Sequence, residues 1–153
     1  MMLRGYRGGD ARLLSGPWLA GELLGLPVPG RPALAEPAAV EPPRDDTVEL
    51  CIAPGAAFVR FSELDWAARR ARLEIGLQPE AVDAVAMLLK TAVAHGFHVL
   101  NLHRLHGWVT PAAGPPVSVL ADAGFQLEAR VPSGNWFDGA PVERQIWGAV
   151  RGD

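Results

Sequence analysis

Two side chains in this sequence could carry proton-transfer chemistry. Glu74 lies in a strand-like run, 71–78, and its carboxylate could take a proton from an ammonium group directly or through water. His106 could serve as an acid or a base, because an imidazole titrates near neutral pH. An ion pair of Glu74 with Arg72 or Arg69 is the structural alternative. Glu74 and His106 are therefore the candidate catalytic residues.

Metal and thiol chemistry are not expected. His98, His103 and His106 are close in sequence, but side chains alternate along a strand, so His103 would point away from the other two. Cys51 is the one cysteine, and its apolar surroundings in the sequence predict a small core residue. We predict no metal site, and a single cysteine agrees with a reducing compartment.

The composition predicts one globular domain spanning residues 1–153. A chain of 153 residues with 49% hydrophobic and 20% charged residues can bury a single core. The net charge of -3 supplies no broad positive field, so no nucleic acid is expected as a partner. No apolar run reaches the roughly 18 residues that span a bilayer, and the first residues lack the features of a signal peptide. We expect a cytoplasmic protein with no membrane partner.

The N-terminal third of the chain is irregular. A strand-like fragment and short helical pieces are predicted between Leu3 and Leu26, with Asp10 as a helix N-cap. A proline- and alanine-rich arm follows at 27–46, where neither a helix nor a strand can propagate. The arm is predicted to be a lid or a surface strap of the same domain.

The rest of the chain alternates strands with two helices. Apolar and β-branched patterns predict eight elements, in the order strand 47–53, strand 57–64, strand 71–78, helix 79–95, strand 99–109, a helix from Pro115 or Pro116 to Gly124, and a pair of strands at 126–131 and 141–150. Loop 133–139 would join the last two strands. The order predicts an α+β fold (α/β by some schemes), with a mixed, mainly antiparallel sheet, one central helix and a C-terminal hairpin.

Several fragments, in this order, resemble the GNAT superfamily of acyltransferases, in particular its ribosomal-protein N-terminal acetyltransferase branch. The resemblance covers nearly the whole chain and is carried by Glu74-Ile75-Gly76 with Pro79, Asn101-Leu102-His103-Arg104, Val109-Thr110-Pro111, Val119-Leu120-Ala121-Asp122-Ala123-Gly124-Phe125 and Asp138-Gly139. It implies a divergent N-acyltransferase that moves an acetyl or other acyl group from coenzyme A to a small-molecule or peptide amine.

The resemblance also implies roles for individual residues. Glu74 would face the acceptor, and Gly76 would mark the bulge where two strands separate to admit the pantetheine arm, so Ile75, Gly76 and Leu77 are the candidate cofactor-binding residues. The terminal hairpin would form a wall of the acceptor site. The candidate substrate-binding residues are Trp108, Asn135 and Trp136. The hairpin aromatics could equally pack on the partner of a homodimer.

The sequence departs from the family where the family binds its cofactor. The glycine-rich loop that holds the coenzyme A pyrophosphate is missing, because Gly76 to Ala81 runs directly from strand to helix. Glu80 and Asp83 place carboxylates in the first turn of that helix, where they repel a pyrophosphate. Ala113 and Pro116 replace the family's asparagine and serine, and Leu120 stands where other GNAT branches have a tyrosine general acid. Two alternatives therefore stay open: a repurposed enzyme of specialised metabolism that performs cofactor-free cyclisation, hydrolysis or decarboxylation, and a non-catalytic binding module.

Overall fold

A twisted seven-stranded sheet organises the protein. The computed structural model describes residues 1–28 and 38–152. The seven strands have the spatial order β1-β4-β5-β6-β7-β9-β8, and two further short strands, β2 and β3, pair with each other. The strands are β1 (Arg4–Gly5), β2 (Ser15–Gly16), β3 (Ala38–Ala39), β4 (Glu49–Ala53), β5 (Ala57–Asp65), β6 (Arg70–Leu77), β7 (Arg104–Val109), β8 (Gln126–Phe137) and β9 (Ala140–Val150). The sheet is antiparallel except for the β6–β7 pair, which confirms the predicted mixed fold.

The strands predicted at 47–53, 57–64 and 71–78 are confirmed as β4, β5 and β6. The turn between β4 and β5 includes Gly55, whose φ of +72° suits glycine. β6 places Leu73, Ile75 and Leu77 in the buried core, while Arg72 and Glu74 alternate with them on the opposite face. The sheet therefore has one apolar face and one face that carries charged side chains.

The central helix has three parts and ends later than predicted. A 3-10 helix (Pro79–Ala84) leads into α1 (Val85–Ala94), and a π-helical turn (His95–Val99) follows, so Gly96 does not end the helix. The strand predicted over 99–109 is wrong in its first half, because β7 begins only at Arg104. The amide of Leu100 donates to the His95 carbonyl oxygen at 3.0 Å, which continues helical hydrogen bonding past Gly96.

The second helix and the terminal hairpin lie where the sequence places them. α2 (Val117–Asp122) follows Pro116, and Gly124 closes it with a φ of +95°. The predicted loop 133–139 is wrong, since strand pairing continues through β8 to Phe137 and only Asp138 and Gly139 turn the chain. The hairpin is consequently longer than expected.

Two apolar clusters flank the sheet. The larger lies under α1 and α2 and includes Leu89 and Leu120. The smaller packs a 3-10 helix (Gly8–Leu14) and Trp18 against the outer strands β4 and β5. Asp10 lies inside that 3-10 helix rather than at its N-cap, which is Arg7. Within the described part of the chain no helix is both long and apolar enough to cross a membrane.

Only part of the arm predicted at 27–46 can be compared with the structure. Residues 29–37 lie outside the described residues, while β3 pairs with β2 and anchors the end of the arm to the N-terminal segment. Its role as a lid stays a prediction.

β6 and β7 separate soon after they meet. They pair in parallel at three positions, Arg70 with Arg104, Ala71 with Leu105 and Arg72 with His106, and then diverge. Residues 22–25 of the N-terminal segment lie in the gap, forming single bridges from Glu22 to Trp108 and from Gly25 to Gly76. This wedge-shaped opening sets the geometry of the candidate site.

Candidate functional site

Residues 22–25 occupy the gap between β6 and β7 as a short irregular segment with one bridge to each strand. On one side, Leu23 N donates to the Trp108 carbonyl oxygen at 2.7 Å. On the other side, Gly25 N donates to Ile75 O at 2.8 Å, and Ile75 N and Leu77 N donate to Glu22 O and Gly25 O at 3.3 and 3.0 Å. Leu23 is fully buried. The segment therefore satisfies the backbone groups that the diverging strands would otherwise leave unpaired.

Glycines on the flanking strands allow this close approach. A Cβ at Gly107 would lie 2.7 Å from the Cβ of Leu23 and 3.0 Å from Leu73 O. A Cβ at Gly76 would lie 2.7 Å from Cζ2 of Trp18. The side chain of Trp18, from this chain's own N-terminal segment, therefore packs closely on Gly76, and a bulge that admits a pantetheine arm stays a prediction.

In this conformation the gap between β6 and β7 is filled, so an acyl-CoA of the kind that the resemblance implies could enter it only if residues 22–25 moved. Ile75 and Leu77, two of the three predicted cofactor-binding residues, use their backbone groups to bind residues 22–25, and Trp18 packs on Gly76. The chain passes from Leu77 to the 3-10 helix at Pro79 with no glycine-rich loop between them. The assignment of Ile75, Gly76 and Leu77 as cofactor-binding residues stays a prediction.

Glu74 lines a cavity of about 360 Å³ on the charged face of the sheet. The side chain is 4% exposed. Its Oε1 accepts a hydrogen bond from Arg60 Nη1 at 3.1 Å and its Oε2 accepts one from Gly21 N at 3.0 Å. The expected ion pair with Arg72 or Arg69 is wrong: the partner is Arg60, on the neighbouring strand β5. Both oxygens keep a free lone-pair direction for a further donor.

Glu22 lies next to this cavity and binds Arg144 of β9. Its Oε2 accepts from Arg144 Nε and Nη2 at 3.1 and 2.8 Å, and its Oε1 accepts from Thr110 N at 2.7 Å. Burial raises the pKa of the Glu22 carboxyl, and the hydrogen bonds from Arg144 and Thr110 oppose that rise. The ion pair attaches residues 22–25 to β9, the strand that pairs with β7.

The predicted substrate-binding residues divide between the cavity edge and the surface. Arg144 stacks its guanidinium 4.8 Å above the Trp108 ring, so Trp108 supports the cavity from below. Asn135 donates from Nδ2 to Thr110 Oγ1 at 3.0 Å, which connects the hairpin to the Glu22 network. Trp136 is 65% exposed. Asn135 and Trp108 thus contact residues that belong to the site or its network, while Trp136 is not among the described residues that line the cavity.

His106 lies on the same face of the sheet as Glu74 but lines a different, larger cavity of about 790 Å³. Its Nε2 is 3.9 Å from Glu63 Oε2. Burial lowers the pKa of the imidazole, and Glu63 opposes the shift. The structure does not bring the two predicted catalytic residues into one pocket.

A three-residue cluster on the helix side offers possible metal ligands. Glu49, Cys51 and His95 have ligand atoms within 4.8 Å of one another. Burial raises the pKa of the Cys51 thiol to about 12, so a metal ion would have to displace its proton on binding. The thiol packs 3.5 Å from His95 Nε2, and His95 stacks on Phe61. Cys51 is a buried core residue, as predicted.

Sequence reasoning missed three residues of the site. Arg60, Arg144 and Glu22 come from β5, β9 and the N-terminal segment, and they share no motif. One signal was available: Arg60 interrupts the apolar run 57–61, which is unusual unless the charge has a buried partner.

Comparison with solved structures identifies the fold. The sequence matches no protein-family model and no curated protein. A mutant of the spermidine N-acetyltransferase SpeG from Vibrio cholerae superposes with a TM-score of 0.72 over 98% of this chain and 95% of that one, at 17% identity.

Two further solved structures superpose on this chain about equally well. The dodecameric form of the same Vibrio cholerae enzyme, in an intermediate state, gives a TM-score of 0.72 at 17% identity over 97% of this chain and 92% of that one. A chimera of it with hSSAT gives 0.71 at 19% identity over 97% and 94%. The protein therefore has the GNAT fold, as the sequence predicts. The assignment to the ribosomal-protein branch stays a prediction.

Proposed function

We propose that the protein is an N-acyltransferase that places an acetyl or other acyl group on a small-molecule or peptide amine. One observation carries the proposal: Glu74 presents a buried carboxylate at the wall of an open, charged cavity, beside the point where β6 and β7 separate. The GNAT fold of structures named as N-acetyltransferases supports the same chemistry.

Glu74 is the proposed base. An amine bound in the cavity as an ammonium ion would donate to a Glu74 oxygen, directly or through water, and lose its proton there. Arg60 and the Gly21 amide hold the carboxylate in place, because each of them binds one of its two oxygens. The Arg60 side chain and the Gly21 amide thus orient the proposed base before a substrate binds.

Acyl-CoA is the donor that the fold implies, and it would supply the activated acyl group. Because residues 22–25 fill the gap between β6 and β7, donor binding requires this segment to move. Amide hydrogen exchange tests that requirement: we expect acetyl-CoA to accelerate exchange at Leu23, Gly25 and Leu77, whose amides bridge the gap. Unchanged exchange at these amides in the presence of acetyl-CoA would exclude opening of the gap.

The activity itself is tested by acetyl transfer to a panel of amines, followed by mass spectrometry of the products. We expect Glu74→Gln to lower kcat/KM by roughly 100-fold, because it removes the base while keeping the shape. Glu41→Gln is the matched control: Glu41 lines the same cavity at its exposed rim, paired with Arg44. Full activity of Glu74→Gln would contradict the assignment.

The filled gap favours a second candidate function, a ligand-binding module without acyl transfer. In that case the cavity would bind its ligand, while calorimetry would detect no acetyl-CoA at millimolar concentration and no amine would be acetylated. Retained ligand binding together with both negative results would select this function over the first.

We also propose a cytoplasmic homo-oligomer. Trp136 is 65% exposed on the hairpin, which suits a contact with a second copy, and one of the similar structures is named as a dodecamer. Light scattering of the wild type and of Trp136→Ser would test this, with a smaller assembly expected for the variant.

A further inference from the structure

The cavity around Glu74 holds more positive than negative charge. Three guanidinium groups, from Arg60, Arg72 and Arg144, and one buried carboxylate, Glu74, line it. A second carboxylate, that of Glu22, lies next to the cavity and forms an ion pair with Arg144. The rim carboxylate of Glu41 is 77% exposed and pairs with Arg44, so it contributes little inside.

Each negative charge already has a guanidinium partner. Glu74 pairs with Arg60 at 3.1 Å, and Glu22 pairs with Arg144 at 2.8 Å. The remaining cation is Arg72, which is half-buried and donates from Nη2 to Gly21 O at 3.2 Å. Among the described residues Arg72 forms no ion pair, and the buried Nε atoms of Arg60 and Arg72 have no acceptor there either. A guanidinium stays charged at every accessible pH, so the cavity retains one uncompensated positive charge.

We infer that this cavity binds an amine that also carries a carboxylate, and that Arg72 is the residue that recognises the carboxylate. The inference deepens the proposed function, on which the amine half of the ligand rests. One surplus cation matches the single charge of a carboxylate better than the near-double charge of a phosphate monoester. The planar fork of Arg72 suits a carboxylate geometrically as well.

The spacing along β6 fits a zwitterion. Arg72 and Glu74 are two residues apart on one strand, so they point to the same face about 7 Å apart. An amino acid or dipeptide could place its ammonium at Glu74 and its carboxylate at Arg72, and a cavity of about 360 Å³ is large enough for it. A polyamine such as spermidine carries several positive charges and no negative one. It would meet the surplus charge of Arg72 unfavourably, so this protein would differ in specificity from the enzymes whose fold it shares.

Binding measured without an acyl donor tests the inference separately from catalysis. The probes are L-alanyl-L-alanine, its C-terminal amide, which lacks only the negative charge, and spermidine. For the wild type, calorimetry should show the dipeptide binding at least about tenfold more tightly than its amide, with spermidine weaker than both. Arg72→Gln should remove the preference for the dipeptide, and Arg72→Lys should retain part of it.

The matched control is Arg70→Gln. Arg70 lies two residues earlier on the same face of β6, where it is exposed and 3.8 Å from Asp65, outside the cavity. Equal binding of dipeptide and amide, tighter binding of spermidine, or no binding of any probe at millimolar concentration would overturn the inference. Carboxylate-selective binding without acetyl transfer would leave it standing and reject the proposed function. Acetylation of the dipeptide and of its amide with equal kcat/KM would support the proposed function and overturn the inference.

Discussion

Glu22 and Arg144, 122 residues apart in the chain, form a two-hydrogen-bond ion pair that closes one side of the gap between β6 and β7. The Glu22 and Arg144 side chains are 5% and 18% exposed. Thr110 N donates a third hydrogen bond to the Glu22 carboxylate. The pair holds the inserted segment in the sheet, and its loss has a measurable cost.

Removing one partner of this pair should destabilise the fold. We expect Arg144→Met to lower the free energy of unfolding by about 3 kcal/mol, because it leaves the Glu22 carboxylate buried without its cation. Urea denaturation at neutral pH measures the effect. The double variant Glu22→Gln with Arg144→Met should be more stable than Arg144→Met alone, since no buried charge is left. A double variant that loses the sum of both single effects would show that the two residues do not act as a pair.

Gly107 should not tolerate a side chain. Gly107→Ala would place a Cβ 2.7 Å from that of Leu23, so we expect a loss of about 1–3 kcal/mol and faster amide exchange at Leu23. Gly9→Ala is the control, because a Cβ at Gly9 would have no heavy atom within 4 Å. Equal stability of the two variants would show that the segment does not pack in the gap as described.

Asp10 should contribute to stability at neutral pH and lose that contribution in acid. Arg4 donates to both of its oxygens, at 2.7 and 2.8 Å, and Arg7 N donates at 2.9 Å, which lowers the pKa of Asp10 to about 2. Since the folded pKa is below the unfolded one, this contribution is present above the unfolded pKa and is lost as the pH falls towards 2. Unfolding curves of wild type and Asp10→Asn should therefore converge between about pH 4 and pH 2. A constant difference over that range would contradict the coupling.

His106 should titrate below its ordinary pKa and play no part in the chemistry at Glu74. Burial favours the neutral ring, so an NMR titration of its ring protons should give a midpoint below 6.5. His106→Gln should leave acetyl transfer nearly unchanged, because His106 lines the other cavity. A large loss of kcat/KM in this variant, with stability intact, would place His106 in the mechanism after all.

Cys51 should be unreactive in the native protein. Its thiol is 2% exposed and has a pKa raised to about 12, so almost no thiolate is present at neutral pH. Ellman's reagent should modify it only as fast as the protein unfolds. Rapid labelling of the folded protein would contradict the buried position.

Short-range sequence patterns predicted the frame of the molecule. The apolar residue patterns predicted β5 and β6, and Pro54-Gly55 predicted the turn between β4 and β5. Gly124 predicted the end of α2. These signals act over a few residues, so they can be read without the tertiary structure. Local signals failed at 95–103, where the helix continues through a π-helical turn that no residue pattern announces. They also failed at 133–137, where strand pairing overrides polar and glycine residues.

The tertiary structure alone decided what surrounds Glu74. Sequence spacing identified the residue and its face, but its partner Arg60 is set by the register of two strands, and the Glu22–Arg144 pair joins segments from opposite ends of the chain. The occupied gap depends on the same long-range packing, since four residues of an irregular segment carry no signal of where they will insert. Glu74 was identifiable as a carboxylate on a strand. Only folding placed it in a cavity with one guanidinium group in excess, because charge balance in a pocket depends on every strand that borders it.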